Sequence, residues 1–206
     1  AKAWIRELLK EFCFRDEQAL THAIAAVLTP FCRGLYPRWT CRTPVFIYEA
    51  NRPRSGKDYL AGNIALIHEG RDIEDAPIPR DSQELRKKIT STLISGRRRV
   101  HFANCRGFLS SDVLENITTS EQWADRLLGY NQEVALGNEL EFSLSGNIGL
   151  TYTPDFANRT RKIALAFYEE DANKRQFKRS DLKQWTRDHR ADLLSALMTF
   201  VIEWQR

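Results

Sequence analysis

The stretch that most restricts the fold is TPVFIYEANRPRSGKDYLAGNIALIHE, residues 43 to 69. Its first part, TPVFIYEA, is a short apolar run rich in β-branched and aromatic residues and entered from a proline, which predicts a buried strand. A turn carrying Gly56 and Lys57 follows at once, and KDYLAGNIALIHE then reads as a helix. Strand, glycine-lysine turn and helix in this order are the context that a phosphate-binding loop requires. Successive backbone N–H groups and a helix N-terminus converge there on one anion, and a lysine reaches the terminal phosphates. The spacing therefore predicts an ATP-binding loop over Asn51, Arg52, Pro53, Arg54, Ser55, Gly56, Lys57 and Asp58. The plainer alternative is that RSGK is a basic turn that starts a helix.

Two positions depart from the usual loop. Asn51 stands where the first glycine belongs, and asparagine accepts left-handed backbone more readily than other non-glycine residues. Asp58 stands where a serine or threonine normally holds Mg²⁺. A carboxylate there attracts the metal but repels a bare phosphate, so nucleotide binding is expected to depend strongly on Mg²⁺, with Asp58 as its ligand. Glu49, just before the loop, is a candidate to activate water or else a strand-end surface residue. ATPases with such loops usually carry an acid at the end of a second strand. Here that strand reads RRRVHFANCRG, and the acid's place holds Ala103 followed by Asn104. Either nucleotide is bound without efficient hydrolysis, or Asp58 takes over the missing charge.

The rest of the chain is patterned for one α/β domain. Residues 3–12 and 16–29 have apolar residues at helical spacing and predict a helical segment over 1–42. The loop-bearing core follows over 43–180, and 181–206 is one long amphipathic helix, or two joined ones, packed on the core. Within the core, Asp81 and Glu84 have capping-box spacing ahead of SQELRKKITSTLIS. A strand is predicted at 99–103, a short helix at 111–118 and a helical turn in EQWADRLLG. NQEVALGN is read as a hairpin, and LEFSLSGN and KIALAFY as strands. These elements sum to a three-layer α/β domain with a mostly parallel sheet, a helical segment before it and a C-terminal helix after it.

Among 206 residues, 31 basic side chains face 27 acidic ones, giving a net charge of +4. That permits nucleic-acid contact without demanding it. No run approaches the roughly 18 apolar residues of a membrane span. With Ala1 first and no charged-then-apolar leader, the chain is read as a soluble, cytoplasmic piece of something longer. Cys13, Cys32, Cys41 and Cys105 lack zinc or disulfide spacing and are read as reduced thiols. His22, His68, His101 and His189 lack metal-ligand spacing and are read as core or surface residues. His101 lies near the proposed site with no role assigned.

The loop, FANCRG, RLLG, LEFSLSGN and TPDFANRTRKIAL, in that order, resemble the ATPase domains of primase-helicases from bacteriophages and integrated mobile elements, AAA+ proteins near the superfamily 3 helicases. The resemblance runs from about Pro44 to the C-terminal helix. It implies a P-loop NTPase fold, contact of Lys57 with the β- and γ-phosphates, and Asn147 as a sensor that positions the attacking water. It also implies that Arg159 and Arg161 are arginine fingers toward the nucleotide of a neighbouring subunit. A planar guanidinium spreads the charge that builds on a transferred phosphoryl group. The implied working form is a homo-oligomeric ring, a hexamer, with single-stranded DNA in its channel. Tyr130 and Gln132, in a segment that related helicases point into the channel, are candidate DNA contacts, although the expected lysine is missing. Arg97, Arg98 and Arg99 form the tightest basic run and are candidate phosphate contacts or a solvated strand edge. Ala103 departs from the family's acid and bears on hydrolysis rather than binding. The rival readings are a small-molecule or nucleotide kinase, whose loops accept Asp after Gly-Lys, and a nucleotide-dependent assembly or loader module with weak hydrolysis.

Overall fold

The computed structural model describes residues 1–35, 42–127, 132–168 and 178–206. Helices α1 (Lys2–Leu9) and α2 (Glu17–Arg33) precede β1 (Val45–Ala50), α3 (Lys57–Glu69) and α4 (Ser82–Ile94). Then come β2 (Arg99–Cys105), β3 (Phe108–Leu109), α5 (Asp112–Ile117), β4 (Gln122–Arg126), β5 (Glu133–Gly137) and β6 (Glu141–Asn147). The described chain closes with β7 (Thr151–Tyr152), α6 (Pro154–Asn158), β8 (Thr160–Leu165), α7 (Leu182–Asp188) and α8 (Arg190–Gln205).

Four of these strands, all parallel, make the central sheet in the order β2-β6-β1-β8. β1 is buried along its whole length, as an apolar run covered on both faces must be. Its alternation divides the interior. Val45 and Ile47 join Ile89, Phe102 and Leu144 in one core, beneath α4 and α5. Phe46 and Tyr48 point the other way, into a second core with Leu8, Val27, Leu60, Ile64 and Leu197. Residues from the N-terminal helices, the loop-following helix and the C-terminal helix therefore share one apolar interior. Each fully buried large side chain there is worth about 1.5–3 kcal/mol.

α3 has the bounds its sequence predicts because a left-handed glycine flanks each end. Gly56 (φ 90°) is the N-cap, and Gly70 (φ 70°) closes the C-terminus on the carbonyl of Leu66. α7 fixes its flank. Thr186 Oγ1 donates to Asn63 Oδ1 at 2.8 Å, and Lys183 pairs with Asp72.

Three expectations need correction. EQWADRLLG does not form a helical turn: β4 runs through it and pairs antiparallel with β5, so the hairpin joins these two segments rather than folding within NQEVALGN. Trp123 drives this. It is buried on one side of β4, donates from Nε1 to Thr90 Oγ1 at 2.8 Å and lies under the Arg86 guanidinium, while Gln122 and Ala124 face outward. α2 continues past Pro30 to Arg33, beyond the predicted end at 29. The C-terminal stretch takes the second of its two expected forms, two joined helices that meet at His189. Among the described residues, no helix is long and apolar enough to cross a membrane.

Candidate functional site

β1 delivers residues 51–56 to the C-terminal edge of the sheet, where α3 begins. Asn51 does not take the left-handed backbone its sequence position suggests; Arg54 (φ 61°) and Gly56 (φ 90°) do. Asn51 is held instead by its side chain. Nδ2 donates to the Phe167 carbonyl at 2.9 Å and Oδ1 accepts from the Phe167 amide at 3.0 Å, which extends the β1–β8 pairing by one rung. Ser55 closes the turn by donating from Oγ to the Arg52 carbonyl at 2.7 Å. Gly56 offers no side-chain cap, so the first amides of α3 meet the loop without one.

Lys57, the first residue of α3, is 8% exposed. A buried ammonium needs a counter-charge, and its neighbour supplies one: Nζ lies 2.9 Å from Asp58 Oδ2. The other Asp58 oxygen, Oδ1, is buried and has no hydrogen-bond partner. Beside it lie two more buried atoms in the same condition, His101 Nε2 on β2 and Ser145 Oγ on β6. His101 Nε2 is 3.8 Å from Oδ1, beyond ordinary hydrogen-bond distance. Burial pushes the Asp58 carboxyl up, but His101, Lys57 and Ser145 together hold it well below the ordinary carboxylate range. The carboxylate is thus ionised.

Asp58 offers an ionised oxygen donor beside the loop, but among the described residues no group of three or more histidine, cysteine or acidic side chains is placed to hold a metal ion by itself. The strand-end acid is indeed missing: Ala103 is buried, and Asn104 turns outward through a left-handed backbone (φ 56°) where β2 slips register against β6. Next to the loop opens a cavity of about 450 Å³ whose walls include Phe12, Gly56, Lys57, Tyr59 and Leu182. Its apolar part comes from Phe12, which precedes α2, and from Tyr59 and Leu182. None of these three was marked in the sequence.

The remaining candidates are dispersed. Asn147 ends β6 in register with Ala50, so it stands exposed beside the start of the loop. Glu49 is buried and paired with Lys162 Nζ at 3.1 Å. By strand alternation it lies on the face of β1 away from Asp58. Arg159 and Arg161 sit where β8 begins, level with the start of β1, at the end of the sheet opposite the loop. Arg159 is engaged by Asp155 Oδ2 at 2.7 Å and by the Glu115 carbonyl. Arg161 is exposed and donates to the Thr160 carbonyl.

The basic run is occupied by acids. Arg97 pairs with Glu74, Arg98 with Glu139 at 3.1 Å, and Arg99 with Glu141 at 2.9 Å and Glu69 at 3.6 Å. Gln132 is exposed just before β5, and Tyr130 lies outside the described residues.

His101 and Ser145 carry the geometry that sequence reading missed. The signal was present in strand alternation: His101 shares a face with Ala103, and Ser145 shares one with Asn147.

No protein-family model matches the chain, and no curated protein matches it. Among solved structures, the chain is similar to the apo C-terminal region, residues 305–718, of NrS-1. The TM-score is 0.53 at 14% identity, over 91% of this chain and 42% of that one. The chain thus spans less than half the length of that region, and what the two share is a fold.

Proposed function

We propose that this chain is the ATP-binding, AAA+-like module of a DNA-replication helicase of the primase-helicase kind. In this reading it hydrolyses ATP to translocate on or unwind single-stranded DNA as a homohexameric ring. The observation that carries the reading is the loop. A buried lysine opens a helix directly after the central, fully buried strand, beside a cavity of about 450 Å³. The fold likeness to the C-terminal region of NrS-1 supports an α/β core of this kind. So does the sheet order, in which β6 separates β1 from β2 and brings Asn147 to the loop's edge.

In this role, the α3 amides and Lys57 bind the phosphate tail, and Asp58 holds the Mg²⁺ that a strand-end acid would otherwise hold. The metal neutralises phosphate charge when bound. Asn147 orients the attacking water. Arg161 suits a finger better than Arg159, since Asp155 does not occupy it. Neither reaches this chain's own loop, because β1 spans roughly 16 Å between them. A contribution to catalysis therefore needs a second subunit.

One observation favours a second reading, the weakly hydrolysing assembly module: the end of β2 carries Ala103 and no carboxylate. Phosphate release from ATP, with and without single-stranded DNA, by the wild type and Lys57→Ala separates the two. DNA-stimulated release that is lost in Lys57→Ala supports the helicase module. Nucleotide-driven oligomer formation without turnover supports the assembly module. A wild-type chain that binds no nucleotide refutes both.

A further inference from the structure

Arg97, Arg98 and Arg99, the basic run of the sequence, are each paired with an acid, so their charge is already spent. A different basic surface lies at the carboxyl end of β2. There a cavity of about 620 Å³ opens between the segment that leads into α4 and the turn from β2 into β3. Arg80, Asn104, Arg106 and Phe108 line it and are exposed. No ion pair or hydrogen bond engages either guanidinium among the described residues. The Ala103 amide donates to the Ala76 carbonyl at 2.9 Å, which holds the segment carrying Arg80 against β2. Asn104 (φ 56°) and Gly107 (φ 73°) turn the chain out of β2 through left-handed backbone, and Arg106 and Phe108 thereby come to the surface. Leu109 packs on the core, so its neighbour Phe108 on β3 faces outward, 66% exposed. Asp112 is the one acid among the lining residues, and it stands in the first turn of α5, where a negative charge meets the helix N-terminus.

We propose that this cavity and its rim bind single-stranded DNA, with the Phe108 ring stacked on one base and Arg80 and Arg106 on flanking phosphates. An aromatic platform beside unpaired cations is the combination that holds single strands without reading their sequence. A duplex keeps its base faces stacked on one another, so the ring selects an unpaired strand. The inference rests on the helicase reading for its purpose and goes beyond it in the surface it assigns. That surface shares an edge of the sheet with the loop. β1 and β2 flank β6 and end level with each other, Ala50 opposite Asn147 and Cys105 opposite Gly146. Two strand spacings, about 10 Å, therefore separate the strand end that carries the loop from the one that carries the cavity.

The test is fluorescence anisotropy of a labelled oligo-dT with the full chain, over a series of salt concentrations and with and without a non-hydrolysable ATP analogue. Phe108→Ala should weaken binding by about tenfold and leave the salt dependence unchanged. Arg80→Gln and Arg106→Gln should each lower the slope of log affinity against log salt by roughly 0.7. Phe108→Trp should keep the affinity, and its new indole should be quenched when the strand binds, a signal that a merely structural side chain would not give. These side chains are exposed, so the urea midpoints of the variants should match the wild type. Wild-type affinity in both Phe108→Ala and the Arg80→Gln, Arg106→Gln double variant overturns the inference. So does a loss in Arg98→Gln as large as in Arg106→Gln, equal affinity for a duplex, or a wild type that holds no strand in either condition. Equal affinity for dTMP and the oligonucleotide makes the cavity a mononucleotide pocket and overturns it as well. Nucleotide binding is read separately by calorimetry with the analogue and Mg²⁺. A chain that needs Phe108 for DNA but binds no nucleotide keeps this surface and refutes the ATP reading; nucleotide binding with DNA affinity indifferent to Phe108 does the reverse.

Discussion

Asp58→Asn keeps the side chain's shape and removes its charge, and it separates two effects that the aspartate combines. Lys57 Nζ lies 2.9 Å from Asp58 Oδ2, and Lys57 must leave that oxygen before it can reach a phosphate. At an effective dielectric near 20, such a contact is worth roughly 4 kcal/mol gross. The Asp58 side chain is 34% exposed and that of Lys57 10%, so solvent and the desolvation of both groups reduce the net value to about 1–2 kcal/mol. Removing the pair should therefore tighten metal-free binding of ATP by about tenfold, since 1.4 kcal/mol is a factor of ten. Loss of carboxylate-phosphate repulsion acts in the same direction.

With Mg²⁺ present, the order reverses. The wild type gains affinity from the metal because the ionised Asp58 carboxylate is a charged oxygen donor, and the amide gains little. The assay is titration of a fluorescent ATP analogue in EDTA and in excess Mg²⁺, giving a ratio of dissociation constants for each protein. The ratio should be large for the wild type and near one for Asp58→Asn. Binding of Asp58→Asn in EDTA that is no tighter than the wild type would show that the Lys57–Asp58 pair does not restrain the loop. A full Mg²⁺ enhancement in the variant would show that the metal sits elsewhere. Stability gives a second check. The Asp58 carboxyl is held low in the fold, so its contribution is present above the ordinary value of 3.8 and is lost as the pH falls below it. Asp58→Asn should flatten that acid limb.

Two expectations concern the fold. Trp123→Ala should cost about 3–5 kcal/mol, because it opens a cavity and removes the indole donor to the Thr90 hydroxyl, which keeps its bond to Asp125; Trp123→Phe should cost less, and urea denaturation measures both. Burial, helped by the nearby Arg99 charge, pushes the His68 imidazole down to about 3. The unfolded chain then takes up a proton near pH 6.5 that the native state refuses. Stability from this group is complete above about pH 6.5 and falls toward pH 3 by up to about 1.4 kcal/mol per pH unit. Chemical denaturation across that range should show a shallower slope in His68→Gln, and an unchanged slope would refute the assignment to His68.

How far the sequence could be read depended on whether the signal was local. α3 begins and ends as predicted because glycines at 56 and 70 sit at its borders, and β1 was legible because an apolar run bounded by a proline and a turn has few other fates. β4 was misread because Trp123 and Leu127 stand at helical spacing in EQWADRLLG, while the decisive contact, Trp123 with Thr90, joins residues 33 apart in sequence. The same limit applied to the site. Lys57 and Asp58 are neighbours in the chain, so a local motif names both. His101 and Ser145 are brought to Asp58 only by the pairing of β2 with β6 and the packing of α3 over them, and no local pattern announces that. Asn51 was assigned the wrong task for a related reason. Its side chain is held by Phe167, 116 residues away.

The loop's two departures, Asp58 in place of a hydroxyl and Ala103 in place of an acid, have one electrostatic cause. Ala103 follows His101 on β2, about 7 Å further along, and His101 lies 3.8 Å from the Asp58 carboxylate. An acid at 103 would bring a second negative charge into a buried space where Lys57 is the near counter-charge for Asp58. Two carboxylates sharing such a site cannot both stay ionised, and the one that takes a proton no longer serves a metal. With Asp58 on the helix, a small neutral residue at the strand end keeps the charge in balance, and with an acid on the strand, a neutral hydroxyl on the helix does the same. The pair is best understood as one carboxylate in one of two places, here on α3, where it can also hold Lys57.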